Sequence, residues 1–301
     1  MFDIFNTIND EMAADEHMRN RAPQNSSFSD LFVVSIGGSL FVNENGPDVE
    51  KIRQIAGAIN SLHSAGKRFV VVVGGGKIAR SYVEVMRSFT QNNFDLDGMG
   101  IAITRANAML LASAMPHGQV LTKIEKVKAI LDSGKIAVFG GLMPFFTTDS
   151  VGALLAEHLN ATFVNLTNVD GIYDSNPNEF PSAKRFDEIG YRKLVSLIVE
   201  SGSTPGQNVV LDLACCLILQ RSKIPAAVLS GNDIANFSNY INGSSFVGTT
   251  IRDIENEQIS APLPESEEVE VEKKRAHKKR KTSKKSGDYN APNPYHIDFG
   301  R

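Results

Sequence analysis

Between residues 31 and 252, short apolar runs alternate with longer amphipathic stretches. Leu31-Phe32-Val33-Val34-Ser35-Ile36 and Phe69-Val70-Val71-Val72-Val73 are largely apolar runs followed directly by glycine clusters, the pattern of strands buried on both faces. Further runs at 136–139, 162–167, 225–229 and 245–250 are also strand candidates. Helical periodicity covers 48–65, 77–90, 104–115, 123–133, 149–159, 191–200, 208–222 and 233–241. Pro47-Asp48 suits a helix start, while Gly66 and Gly134 suit helix ends. Strands alternating with helices predict an α/β fold with a mainly parallel sheet. No internal repeat is visible.

The ends differ from this body. Residues 1–30 are polar and aperiodic and read as a flexible arm, with room for a short helix around Asn9–Arg19. From Pro262 the composition shifts: five glutamates fall between 265 and 272, followed by KKRAHKKRKTSKK at 273–285, which carries nine Lys or Arg and no acid. The body is therefore expected to span 31–254, with 255–301 a disordered basic tail. The formal net charge of −3 hides this asymmetry, because the chain without the basic run carries about −12. Such a run could bind nucleic acid or an anionic surface, or serve as a nuclear-localisation-like address. No aromatic residue is interleaved in it, which argues against base stacking. A solvated tail that pairs with the preceding glutamates is the simpler alternative.

Composition narrows the functional classes. A chain of 301 residues with 42% apolar content can bury a real core. No run approaches the ~18 consecutive apolar residues of a membrane helix, and Met1-Phe2-Asp3-Ile4-Phe5 lacks the charged and apolar regions of a secretion signal. A cytoplasmic protein with no membrane partner is expected. The only cysteines, Cys215 and Cys216, are too few for a disulfide framework or a zinc site and read as small core residues. The six histidines are scattered without metal-ligand spacing, and no Ser-His-Asp triad is evident, so the protein is expected to have no metal site of its own.

The candidate chemistry lies just after the strands. Gly37-Gly38-Ser39 and Gly74-Gly75-Gly76 each form a strand–glycine–helix junction, where backbone N–H groups can reach phosphate oxygens. Lys77 and Arg80 follow in the first helical turn of the second junction, and the planar fork of Arg80 suits phosphate. Gly140–Ser150, GGLMPFFTTDS, supplies hydroxyls and Asp149 after the strand at 136–139; Thr148 or Asp149 is its candidate N-cap. Leu166–Pro177, LTNVDGIYDSNP, is a polar loop after 162–167. Ligands of open α/β sheets bind beyond the carboxyl ends of the strands, and these four loops should share that edge. Asp212, in an apolar helical stretch, must be paired or must face a ligand.

The segments SIGGS, GGGKIAR, DGMGIAITRANAML, PFFTTDSVGALLAE, TNVDGIY and VVLDLA, in this order, resemble the amino-acid kinase superfamily over about 31–252. Within it the chain looks most like UMP kinases, especially the archaeal type. The resemblance implies a three-layer α/β sandwich with a mainly parallel central sheet. It also implies ATP-dependent phosphorylation of UMP to UDP in pyrimidine nucleotide biosynthesis, Mg2+ with the ATP, and a hexamer built from dimers. Carried over by position, it gives Gly37, Gly38, Ser39, Gly76 and Arg80 to the ATP phosphates, and Thr167, Asn168, Tyr173 and Asn176 to the ATP nucleoside. It gives Gly75 and Asp97 to UMP, together with the loop of Gly141, Leu142, Met143, Pro144, Phe145, Phe146, Thr147 and Thr148. Arg80, Asp149 and Asp212 are the catalytic candidates, with Asp212 helping to order the phosphate loops or the magnesium. The chain departs from the pattern at Ser35, where many members carry a lysine, and at Asn176, where an aspartate is usual. PFFTTDS is the bacterial rather than the archaeal form. Alternatives are another phosphotransferase of the superfamily, or a nucleotide-binding protein on a degenerate kinase scaffold.

Overall fold

The computed structural model describes residues 30–43, 46–177, 179–200 and 210–254. The arm before residue 30 and the tail from 255, with the readings made of them, lie outside the described residues. The main sheet has eight strands: β1 (Leu31–Ile36), β4 (Arg68–Val73), β5 (Gly118–Leu121), β6 (Ile136–Phe139), β7 (Thr162–Thr167), β8 (Glu188–Gly190), β9 (Ala226–Ser230) and β10 (Thr249–Arg252). Their order is β5-β6-β4-β1-β7-β9-β10-β8. A separate two-stranded ribbon pairs β2 (Val42–Asn43) with β3 (Gly46–Pro47). β1 lies at the centre, parallel to β4 on one side (Val33↔Val70) and to β7 on the other (Val33↔Phe163). Only β10 runs antiparallel to its neighbour β9, and β8 is parallel to β10, so the sheet is mainly parallel as expected.

The central strands are apolar on both faces because both faces are covered. Alternate side chains of β1 enter two separate cores: Leu31 and Val33 one, Phe32, Val34 and Ile36 the other. The first core is covered by α5 (Val127–Asp132), α6 (Thr148–Leu159), α7 (Tyr191–Glu200) and α8 (Leu213–Ser222). The second is covered by α2 (Val49–Ser64), α4 (Asn93–Ser113) and α9 (Ile234–Ile241). A four-residue turn of helix, α1 (Gly38–Phe41), and α3 (Gly76–Arg87) sit at the carboxyl edge of the sheet. The result is a three-layer α/β sandwich. Cys215 and Cys216 are buried and unpaired; burial pushes both thiols up, Cys216 to about 12, so neither supplies a thiolate nucleophile.

Several boundaries differ from the sequence expectations, such as the strand expected at 245–250, which is Thr249–Arg252, and three of the differences have a clear local reason. α4 begins eleven residues before the expected 104, capped by the Asn92 side chain, which accepts from Phe94 N at 3.0 Å. Its glycines at 98 and 100 hid this first half. The N-cap of α6 is Thr147 rather than Thr148 or Asp149. Asp212 is not inside a helix: it caps α8, its carboxylate accepting from Cys215 N at 3.0 Å.

Candidate active site

β1 and β4 end side by side, and their glycine turns touch. Gly74 N donates to Ile36 O at 2.9 Å and Gly37 N donates to Leu166 O at 2.8 Å, so the ladder of the sheet reaches its very lip. A Cβ on Gly38 would lie 1.9 Å from Gly76 N, and one on Gly76, at φ +65°, would lie 2.4 Å from Gly38 O. Only two glycines allow backbone to meet backbone this closely. Gly75 then caps α3 without a side chain, and the first N–H groups of a helix have no partner within it.

On one side of this contact lies a cleft of about 550 Å³ between α3, α4 and the loop after β6. Gly75, Gly76 and Arg80 line it, together with Asp97, Gly141, Met143, Phe145, Phe146, Thr147 and Thr148. The structure therefore puts Arg80 and Gly76 with the residues expected for the acceptor, not with Tyr173 and Asn176. Arg80 is exposed and has no carboxylate partner among the described residues. Leu142 turns away and packs on the first core. Phe145 takes a left-handed backbone, φ 76°, held by its N–H, which donates to Asp97 Oδ2 at 2.7 Å.

A separate slot of about 330 Å³ opens between the loop after β7 and α7. Tyr173 and Asn176 line it, with Phe180, Leu194 and Leu197. Thr167 and Asn168 stand at the sheet edge, where the position of a Cβ on Gly37 would be 3.7 Å from Thr167 Cα. The Tyr173 hydroxyl donates to Asp170 at 2.8 Å, which in turn pairs with Arg185 at 2.9 Å; this fixes the ring at the slot wall.

Two carboxylates hold the start of α6. Asp212 accepts from the Ser150 hydroxyl at 2.7 Å, from Cys215 N at 3.0 Å and from the Thr147 hydroxyl. Both its oxygens are thus engaged by protein, which makes it a clamp between α6 and α8. Asp149 is partly buried and accepts on Oδ1 from the Ser35 hydroxyl at 2.6 Å. Burial pushes the Asp149 carboxyl up to about 6 despite the opposing hydrogen bond from Ser35, and the nearby Asp212 charge adds to the rise. A carboxyl whose value rises from 3.8 to about 6 on folding destabilises the ionised protein, by up to about 3 kcal/mol above pH 6. The penalty fades as pH falls below 6 and is nearly gone by pH 4, close to the unfolded value of 3.8. Asp149→Asn is therefore expected to raise the melting temperature at pH 7.5 and to leave it nearly unchanged at pH 4, as followed by thermal denaturation.

Three residues of this site were not expected as such. On α4, buried Asn107 donates to Gly74 O at 2.8 Å, and Thr104 accepts from Gly141 N at 2.7 Å. Arg105 donates to Gly141 O and Leu142 O at 3.1 and 3.2 Å. They tie the second glycine turn and the β6 loop to one helix. The available signal was three polar residues within four positions of an otherwise apolar helix.

The model of the amino acid kinase family matches residues 30–230. The chain belongs to the amino acid kinase family. Within that family it resembles uridylate kinases of archaea: it is 39% identical to that of Methanocaldococcus jannaschii, over 72% of this chain and 99% of the relative. The uridylate kinase of Archaeoglobus fulgidus is 40% identical over 73% and 98% of the two chains, and its crystal structure superposes with a TM-score of 0.65. The UMP kinase of Bacillus anthracis, at 22% identity, shares the fold with a TM-score of 0.66 over 75% of this chain and 97% of its own. The family match spans both glycine turns and the loops after β6 and β7.

Proposed function

We infer that the protein is an ATP-dependent nucleoside monophosphate kinase that phosphorylates UMP to UDP. The observation that carries this is the contact of the Gly38 and Gly76 backbones at the lip of the cleft lined by Arg80, Asp97 and Phe146. A donor and an acceptor held around these turns would bring their phosphates together there. Phosphoryl transfer asks mainly for in-line placement and for charge on the equatorial oxygens to be neutralised. A phosphate dianion attacks without a general base, in keeping with a site that holds no histidine. The slot of Tyr173, Asn176 and Phe180 suits the flat base of ATP; the cleft of Arg80, Asp97 and Phe146 suits UMP.

Among the described residues, no group of three or more His, Cys, Asp or Glu could hold a metal ion. Magnesium is best treated as arriving on the phosphate oxygens of MgATP, the usual form for this ion. Lys77 and Arg80 supply the remaining positive charge. Arg80→Ala is expected to raise the KM for UMP at least tenfold with little change in that for ATP, checked by varying each substrate in a coupled ADP-release assay. The same assay with a panel of nucleoside monophosphates tests the acceptor: equal rates with CMP and UMP, or none with either, would sink the uridine assignment.

A homo-oligomer fits the outer face of α3 and α4, which exposes Tyr82, Val85, Met109 and Leu110; such apolar stripes on packed helices commonly close an interface. Sedimentation of the purified chain measures this. The kinase is expected to work in the cytoplasm, in pyrimidine nucleotide synthesis. The basic run at 273–285 is assigned no part in transfer. Deleting 255–301 is expected to leave kcat and both KM values within about twofold, and a filter-binding assay with nucleic acid tests the run itself.

A further inference from the structure

Tyr173, in the wall of the slot, is held from behind by two residues that do not line it. Its hydroxyl donates to Asp170 Oδ1 at 2.8 Å, and Asp170 Oδ2 accepts from Arg185 at 2.9 Å. The two oxygens of one carboxylate are thus divided between the slot residue and a cation. The backbone brings Arg185 to this place. Residues 172–174 run antiparallel to 184–186: Phe186 N donates to Ile172 O at 2.9 Å, Asp174 N donates to Lys184 O at 3.0 Å, and Tyr173 bridges Arg185. Thr249 of β10 ties both segments to the main sheet, accepting from Ile172 N at 2.8 Å and donating to Phe186 O. The Arg185 stem lies against Gly171, where a Cβ would come within 2.6 Å of its Cδ.

As an ion pair for stability this arrangement is poor. The other carboxylate on Arg185, Asp187 at 3.2 Å, is 91% exposed, and such pairs contribute little. The Arg185 Nε is buried and has no acceptor among the described residues, which is a cost. As a strut for Asp170 the residue is well placed, with its side chain only 24% exposed. The hydrogen bond to Asp170, with burial and the Asp170 charge adding, raises the Tyr173 phenol above its ordinary value, so the hydroxyl stays protonated and remains the donor.

We propose that Arg185 is a positioning residue for the donor nucleotide: it holds Asp170, and Asp170 holds the Tyr173 ring in the orientation that receives the base of ATP. The inference rests on the reading of the Tyr173 slot as the ATP pocket. Arg185 does not itself line that slot. With Arg185 removed, the half-exposed Asp170 carboxylate is free to turn to solvent, and the Tyr173 hydroxyl loses its fixed partner. The ring then samples several orientations, and part of the binding free energy is spent on ordering it.

The test is steady-state kinetics of the full chain, each substrate varied while the other saturates, joined to calorimetric titration with ATP. Arg185→Ala is expected to raise the KM and the Kd for ATP about tenfold and to leave kcat and the KM for UMP within about twofold. A general loss of structure would move kcat and both KM values together. Arg185→Lys keeps a cation that Asp170 Oδ2 can bind, and should stay folded and bring the KM for ATP back to within about threefold of the wild type. Tyr173→Phe removes the other end of the chain of contacts. It should raise the KM for ATP by itself, and Arg185→Ala added to it should raise that value by no more than about twofold further, because both act through one carboxylate. Effects that multiply in the double variant overturn the proposal, as do ATP constants of Arg185→Ala that match the wild type, or a rise in both KM values with a fall in kcat. Tyr173→Ala tests the underlying reading separately: if it leaves the Kd for ATP unchanged, the slot does not hold the base, and the role of Arg185 falls with it.

Discussion

Gly38→Ala is expected to abolish phosphoryl transfer, with kcat/KM falling at least about a hundredfold, since catalysis at a two-ligand site tolerates little displacement. A Cβ at this position would lie 1.9 Å from Gly76 N and 2.8 Å from Gly75 C. Both are backbone atoms and cannot swing aside. The two turns would have to part, and with them the ends of β1 and β4. Gly57 provides the internal comparison. It lies on the exposed side of α2, and a Cβ there would meet nothing within 4 Å. Gly57→Ala should leave activity unchanged and stabilise the protein by about 0.5–1 kcal/mol through helix propensity. Steady-state kinetics and thermal denaturation of the two variants side by side separate a site effect from a general intolerance of alanine. An active Gly38→Ala enzyme would mean that the turns do not meet as described.

Asp212→Ala is expected to cost both stability and activity. The carboxylate caps α8 through Cys215 N and anchors Thr147 and Ser150 at the start of α6. Losing a cap costs about 1 kcal/mol, and each hydrogen bond to a charged group contributes about 1.5–3 kcal/mol. A destabilisation of roughly 3 kcal/mol or more is expected by urea denaturation. Because Thr147 and Thr148 line the cleft of Arg80 and Asp97, kcat should also fall by about a hundredfold at temperatures where the variant is still folded. Asp212→Asn keeps an acceptor for one hydroxyl and should recover part of the stability. A variant with full stability and no activity would instead argue for direct contact between Asp212 and substrate.

How far the chain could be read in advance depended on burial. The runs at 31–36, 136–139 and 162–167 match β1, β6 and β7 residue for residue, because strands covered on both faces are rich in apolar residues, with a few buried polar ones such as Ser35 and Asn165. β5 and β8 escaped notice. Gly118-Gln119-Val120-Leu121 and Glu188-Ile189-Gly190 are short strands at the two edges of the sheet, where pairing on one side suffices and the apolar signal is thin. The loops of the site were legible because strand, glycine and helix start fall in fixed order. Which cleft each loop serves was not. Arg80 follows the second glycine turn, and only the folded chain shows that it lines the same cleft as Asp97 and Phe145. Asp212 was visible as a charge in an apolar setting, but its role depends on Thr147 and Ser150, more than sixty residues earlier in sequence.

The position of β1 has a consequence for how the chain reaches this state. Its first partner, β4, follows after α1, the β2–β3 ribbon and α2, but Phe32 also pairs with Thr162, so the far side of β1 is complete only when most of the body has been synthesised. Until then a fully apolar strand has an open edge. Such non-local parallel pairing makes for slow folding and exposes intermediates to aggregation. Refolding of this protein should therefore be limited by the docking of β7 and be sensitive to protein concentration, and pauses in translation between residues 73 and 162 should leave the nascent chain at its most vulnerable.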